Sequence, residues 1–532
     1  MNKLTFNLAK LVLAMVLSFS TSFASANIYL SATGDDDNDG STPALAVATL
    51  NKAFQLVDKT NIDGETIFVS GTINVSSATA GHPENGYSFN TTGLVVIAGV
   101  EGTSPKLLGD GTCRMLLLGN NAICEVKNIT ISGPMEGTAE DYASTGGALL
   151  TRTGCFALLN GGSIKAENVI FKNFRTTNSG GAIQVDKLSD AYPLASFKNC
   201  VFTNNTTGDP SNANAGAGAA IRIYDFNAAN GVLYVENCAF FQNRTYGSGG
   251  NSGSAITVRL GSNTPNAKIT IVNSTFSENK GGNNGAIYCT SAGSANGSYN
   301  IINCTVKDNF SQYGIISGEH DNISNPIRIN VFNSIVEGSK RADGTTNQQD
   351  IRNNQRAAYP GAVIFNIQNS LIGETNVSQD VYMRPDEYPR YGGGILDLFN
   401  FDTNSYAPLA ESLVINFGNA QYLKDLGIDY DQLGNKREFT GNKCDVGAIE
   451  TAKTTTETVS PLAAMLSVYQ SGSTLFVKAE LDVLKAELIS LSGQVVATAF
   501  GNEISLNNIN KGFYLVKIDL GGEIVTQKIF IQ

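Results

Sequence analysis

The chain of 532 residues has no tryptophan and only two histidines. A histidine-rich metal centre is therefore excluded, and His82 and His320 offer no Ser-His-Asp arrangement. No two cysteines stand in a Cys-x-x-Cys pair, which removes a zinc ribbon. Charge is scarce too, at 16% of residues, against roughly 25% in an average globular protein. The balance is acidic: 36 Lys and Arg oppose 47 Asp and Glu, a net charge of −11. A nucleic-acid binder needs a basic face to neutralise phosphates, so no nucleic-acid partner is expected. Beyond the N-terminal segment no apolar run reaches 18 residues, so no membrane span is expected in the mature protein. A hydrophobic content of 42% excludes wholesale disorder.

Residues 1–26 have the parts of a secretory signal peptide. Lys3 and Lys10 form a basic start, Leu11 to Phe19 an apolar run too short to span a bilayer, and Ala24-Ser25-Ala26 a small-residue cleavage site. No cysteine follows that run, so a lipoprotein is not supported. The mature protein is expected to be soluble and exported, where disulfides are permitted. The eight cysteines are Cys113, Cys124, Cys155, Cys200, Cys238, Cys289, Cys304 and Cys444.

One pattern recurs through the middle of the chain: an Asn followed by a small residue, any residue and an apolar one. Its asparagines are Asn128, Asn168, Asn199, Asn237, Asn273, Asn303, Asn333 and Asn369, separated by 40, 31, 38, 36, 30, 30 and 36 residues. A second Asn stands six residues on in four copies, as Asn205, Asn243, Asn279 and Asn309. A Gly-Ala-Ile element follows the central copies: Gly180-Gly181-Ala182-Ile183, Gly218-Ala219-Ala220-Ile221, Gly253-Ser254-Ala255-Ile256 and Gly285-Ala286-Ile287, with an earlier relative at 146–149.

Each copy supplies short alternating strands but few hairpin signals, so its strands must pair with those of the next copy. Stacked coils then form parallel sheets about 4.8 Å apart. Like side chains line up: Phe202, Phe240 and Phe276 in one column, and Cys200, Cys238, Ser274 and Cys304 in another. In-register parallel thiols hold their Cβ atoms about a coil apart, further than the roughly 3.8 Å a disulfide wants, so unbridged core thiols are expected. Asn suits a corner with left-handed backbone, and its amide can bond to the coils above and below. The expected fold is all-β: a right-handed parallel β-helix. Helical solenoids lack the required 3.6-residue period here, and propellers would bring antiparallel hairpins.

The Phe-x-x-Asn elements (Phe202 to Asn205, Phe240 to Asn243, Phe276 to Asn279) and the Gly-Gly-Ala-Ile elements resemble the repeats of polymorphic outer membrane proteins. The architecture is similar to the pectate-lyase-like β-helix superfamily. No room remains after the repeats for a membrane barrel. At the N-terminus, Ile28 to Ser31, the loop Gly34 to Gly40 and the stripe Leu50, Ala53, Phe54 and Val57 resemble the N-terminal cap of secreted β-helix proteins. The loop holds four Asp in five residues. Asp35, Asp37 and Asp39 are candidate Ca²⁺ ligands, although the spacing is not an EF-hand. Alternatively they cap backbone amides in a solvated turn. Ser412 to Gly418, Leu433 to Arg437 and Asp445 to Glu450 resemble the closing region of choice-of-anchor β-helix proteins, with Asn416 where an Asp is usual. Residues 462–532, with Gly512-Phe513-Tyr514-Leu515-Val516, resemble the type IX secretion C-terminal sorting domain of Bacteroidota and are expected to form a small immunoglobulin-like β-sandwich. The resemblance implies the type IX machinery as a partner and the outer surface or medium as destination; an ordinary adhesive sandwich is the alternative.

The expected organisation is a signal peptide at 1–26 and a β-helix at 27–450, with its cap at 27–65 and a closing region at 400–450. A Thr-rich linker at 451–461 and the C-terminal domain at 462–532 complete it. The strand after each Gly-Ala-Ile corner should present two outward columns. One runs Gln184, Arg222, Thr257, Tyr288 and Ser317, and the other Asp186, Tyr224, Arg259, Thr290 and Glu319. Arg suits carboxylate or sulfate, and Tyr suits a sugar face. Gln184, Asp186, Arg222, Tyr224, Arg259, Tyr288 and Glu319 are therefore candidate ligand-binding residues for glycan or another surface. A solvent-facing sheet must also carry polar residues with no ligand at all. The fold hosts binders and enzymes alike, so a polysaccharide lyase or hydrolase using this stripe and a purely structural adhesin remain alternatives.

Overall fold

The computed structural model describes residues 27–134, 156–373, 400–451 and 467–531, apart from short stretches within them. The signal sequence, the element at 146–149, Cys155 and the linker at 452–461 lie outside the described residues. The chain divides into two compact units, Met1–Thr451 and Ala452–Gln532.

The first unit is a parallel β-helix. One sheet carries strands such as Leu194–Lys198, Val232–Glu236 and Lys268–Val272, paired in parallel from coil to coil. A second holds nine described strands, from Tyr87–Phe89 through Ile221–Tyr224 to Ile351–Asn353. All eight repeat asparagines adopt left-handed backbone, with φ between 47° and 56°. Each turns the chain sharply within the first sheet. Their amides also form the expected ladder: Asn168 Nδ2 donates to Asn128 Oδ1 at 2.9 Å, Asn199 to Asn168 at 3.1 Å and Asn237 to Asn199 at 3.2 Å.

The second asparagines do something different. Asn205, Asn243, Asn279 and Asn309 are fully buried. Asn243 Nδ2 donates to Asn279 Oδ1 at 2.9 Å and to the Phe202 carbonyl at 2.9 Å. Its Oδ1 accepts the Asn205 N–H at 3.2 Å and Asn205 Nδ2 at 3.0 Å. The amides of Asn205, Asn243 and Asn279 thus each stitch three consecutive coils and satisfy backbone groups that a corner leaves unpaired.

Packing follows the columns. Phe171, Phe202, Phe240 and Phe276 stack with centroids 4.9, 4.8 and 4.6 Å apart. The seven described cysteines are free and buried. Burial pushes the Cys304 thiol up to about 12 and raises Cys238 as well. Little thiolate is then available for oxidation, which suits free thiols in an exported protein.

The start of the helix is plugged as expected. Asn27–Ser31 pairs in parallel with Glu65–Ser70. The helix Leu50–Leu56 begins at Thr49, whose hydroxyl accepts the Lys52 N–H. Leu50, Ala53, Phe54 and Val57 enter the main core.

Residues 400–450 lie along the side of the stack, against the asparagine corners from Asn273 to Asn369. Asn273 Nδ2 donates to the Tyr430 carbonyl, Asn303 to the Asp445 carbonyl and Asn333 to the Asn419 carbonyl. Ala420, Leu423, Ile428 and Cys444 pack on Val272 and Ile302. Asn416 takes φ 55° and gives its N–H to Asp445. Its left-handed backbone is a reason for Asn at that place. Beneath this strap Arg437 is buried with Glu450, at 2.7 Å.

The second unit has two antiparallel sheets. One contains Ser467–Ser471, Thr474–Lys478 and Glu503–Ser505, and the other Lys485–Ser490, Val495–Ala499, Gly512–Asp519 and Ile524–Ile531. Leu475, Val477, Leu488, Ile504, Val516 and Ile518 share one core, consistent with an immunoglobulin-like sandwich.

Candidate functional site

The two outward columns of the second sheet align as the repeat register requires. Gln184 pairs with Arg222, Arg222 with Thr257, Thr257 with Tyr288 and Tyr288 with Ser317. Tyr224 pairs with Arg259, Arg259 with Thr290 and Thr290 with Glu319.

Five of the seven candidates form one cluster. The Arg222 and Arg259 guanidiniums both lie over the Tyr224 ring, each 4.5 Å from its centroid. Arg222 Nη1 stands 3.6 Å from Asp186 Oδ1, and Gln184 Nε2 donates to both Asp186 oxygens. Neighbouring rungs bring these groups together, and the one ring attracts both cations. Tyr224 is therefore a platform for the two arginines rather than a bare face for sugar.

Tyr288 and Glu319 make a separate pair, and here the expected solvent-facing column needs correction. Tyr288, Thr257 and Ser317 are at most 3% exposed. The Gly-Ala-Ile corner is the cause, because its leading glycine folds back over the outward residue. A Cβ on Gly253 would stand 2.6 Å from Thr257 Oγ1 and 2.8 Å from Tyr288 Cβ. Tyr288 lies beneath that backbone and donates its hydroxyl to Glu319 Oε2 at 2.9 Å, and Asn354 donates to the same oxygen at 2.7 Å. Burial, reinforced by the Glu319 charge, drives the Tyr288 phenol well above its ordinary range. It is poorly suited to act as a base.

Arg352 was not among the candidates, yet it continues the first column beside Ser317 and stacks 4.0 Å over Tyr313. Its Nη1 is buried and has no hydrogen-bond partner among the described residues. No Gly-Ala-Ile element precedes it, so the repeat rule had no anchor for that coil.

The three candidate metal ligands are not gathered around a common point. Asp35 Oδ1 accepts the Asp37 N–H, and Asp39 Oδ1 accepts the N–H and hydroxyl of Ser41. The Ser41 hydrogen bonds hold the Asp39 carboxyl below its usual range. Their neighbour Asp36 fastens the loop, taking the N–H groups of Ala48 and Thr49 and the Thr49 hydroxyl. Among the described residues no group of three or more His, Cys, Asp or Glu side chains is placed to hold a metal ion.

These features define a class, a capped parallel β-helix followed by a small antiparallel sandwich. Residues 471–532 match the family described as "Secretion system C-terminal sorting domain". The second unit is thus a type IX sorting domain, which implies engagement of that machinery and export to the cell surface or extracellular space. No helix among the described residues is long and apolar enough to cross a membrane. No curated protein matches the chain. Among solved structures it is similar to the crystal structure of pectate lyase Pel9A, at 15% identity and a TM-score of 0.45, over 80% of this chain and 96% of that one.

Deleting residues 471–532 is expected to abolish surface display in a host with type IX secretion. The truncated chain should resist protease added to intact cells and be absent from the medium. Undiminished surface signal would contradict this role.

Proposed function

We propose that the protein is a secreted or cell-surface β-helix protein that binds acidic glycan at the Arg222, Tyr224 and Arg259 cluster, without catalysis of its own. The observation supporting it is the pair of guanidiniums held over one ring at 4.5 Å. An arginine held over a ring can present its N–H edge to a carboxylate or sulfate in a two-point contact. The chain's net charge of −11 is largely screened beyond about 10 Å at physiological salt, so a polyanion is held by the local guanidiniums rather than by the overall field. The absence of catalysis is supported by the state of Tyr288 and Glu319. The phenol is buried and donates to Glu319, and the carboxylate also accepts from Asn354, so both groups are tied into one internal network.

Retention on an array of carboxylated and sulfated glycans tests this reading. The double variant Arg222→Ala/Arg259→Ala should lose at least tenfold in retention. Undiminished retention would remove the cluster from consideration. Unsaturated products or new reducing ends from uronate polymers would establish the enzyme instead.

A further inference from the structure

The second unit leaves one strand edge bare. Val495–Ala499 is the end strand of its sheet and pairs only with Lys485–Ser490. Among the described residues no strand meets its other edge, so a row of N–H and C=O groups stands open there. Proteins usually protect such an edge with lysine, proline, a bulge or a covering segment. Here a single bulge admits Val496 as an extra residue beside Leu488 and Ile489, and Ala497 to Ala499 then run in regular register. Lysine and proline are missing: neither a charged residue nor a proline stands between Glu487 and Glu503.

The side chains add to the open edge. Ala497 and Ala499 stand opposite Leu488 and Ala486, both in the core of the unit. The residues between and around them face out. Val495 is 46% exposed, Val496 36%, and Phe500, just past the strand, 86%. Single apolar residues scattered on a surface are ordinary. Three within six positions, on an uncharged strand edge, form a patch. The edges of the other sheet differ. Glu503–Ser505 carries a carboxylate, and on Ser467–Ser471 the exposed Tyr469 ring already stacks on Phe476 at 5.5 Å.

Family and chemistry together define the occupant. Residues 471–532 match a sorting domain, so the secretion machinery has to recognise some surface of this unit. A bare edge accepts a partner strand through main-chain hydrogen bonds, and alternate side chains supply the specificity. Val495 to Phe500 spans roughly 20 Å, enough for an ordinary strand of about five or six residues. A charged partner strand would lose hydration here and gain no ion pair. An uncharged strand with apolar side chains loses little and covers Phe500.

We infer that Val495–Ala499, with Phe500, is the docking strand of the sorting domain, to which an unpaired, uncharged strand of the type IX machinery adds. The inference rests on the sorting domain and is independent of the arginine cluster. The test uses the full chain in a host with type IX secretion. The photo-crosslinking variant Phe500→p-benzoylphenylalanine should become joined to a component of that machinery, identified by mass spectrometry. Val496→Lys/Thr498→Lys should lower the surface-displayed fraction about tenfold or more, while residues 467–531 of the purified chain stay as resistant to protease as in the wild type. Phe500→Ser should lower it several-fold. Tyr469→Lys, on the other sheet, should leave display intact. Undiminished display in the double lysine variant would overturn the inference. So would an adduct between two copies of this chain, which makes the edge a dimer contact, or an equal loss in Tyr469→Lys. If the lysines open the unit to protease, Phe500→Ser decides alone, because a side chain 86% exposed carries little of the fold. Loss of display on deleting 471–532 but not in these variants would keep the sorting domain and remove the docking strand.

Discussion

Replacing Asn243 with alanine is expected to destabilise the β-helix by about 3–5 kcal/mol, because each orphaned buried group costs about 1–3 kcal/mol. The change removes the acceptor of the Asn205 N–H and the side-chain donor to the Phe202 carbonyl at once. It also breaks the relay from Asn205 to Asn279. No water can replace the amide, since the position is fully buried. In a stack where each coil touches only its neighbours, the loss weakens two interfaces, so the urea midpoint should fall in proportion. The outer ladder gives the contrast. Asn199 is exposed with φ 51°, and glycine takes that conformation freely. Asn199→Gly should cost within about 1 kcal/mol, its exposed amide bond being exchanged for water. Equal losses at the two positions would show that the buried relay has no special weight.

The difference between the two asparagine rows also marks how far the sequence is legible. Both rows are visible as spacing, and the first could be assigned a left-handed corner from residue chemistry alone. The burial of the second could not, because a polar residue six positions on reads equally well as a surface turn. Register was readable where the Gly-Ala-Ile element is present: a coil that begins there places Arg222 beside Thr257 without ambiguity. Exposure was not, since the fold-back of Gly253 over Tyr288 depends on how the preceding loop returns.

The strap at 400–450 was the least legible part, and it supplies the second large effect. Arg437→Ala is expected to detach it. Arg437 Nη1 donates to Glu450 at 2.7 Å, while Nη2 reaches Asn273 Oδ1 at 2.9 Å and the carbonyls of Gly447 and Ala448 at 3.1 and 3.0 Å. From sequence, Leu433-Gly434-Asn435-Lys436-Arg437 is legible only as part of a stretch that resembles a closing region, with no partner for the arginine indicated. Its partner Asn273 is 164 positions away, with no periodicity connecting them. Removing one member of a buried ion pair leaves the other charge uncompensated, at a cost of about 3–5 kcal/mol. Burial already holds Glu450 above the ordinary carboxylate range, against the opposing pull of Arg437. Without the arginine it should rise further and take up a proton. The strap has its own small cores against the coils, so the coils should persist while the strap opens. Limited proteolysis should then cut within 400–450 in the variant and spare the wild type, with the far-ultraviolet signal of the β-helix retained. Arg437→Met, which fills the space without charge, should be cut as readily if Glu450 stays ionised and more slowly below its raised pKa. Cleavage at the same rate as wild type in Arg437→Ala would mean that the apolar contacts of Leu423 and Cys444 hold the strap unaided.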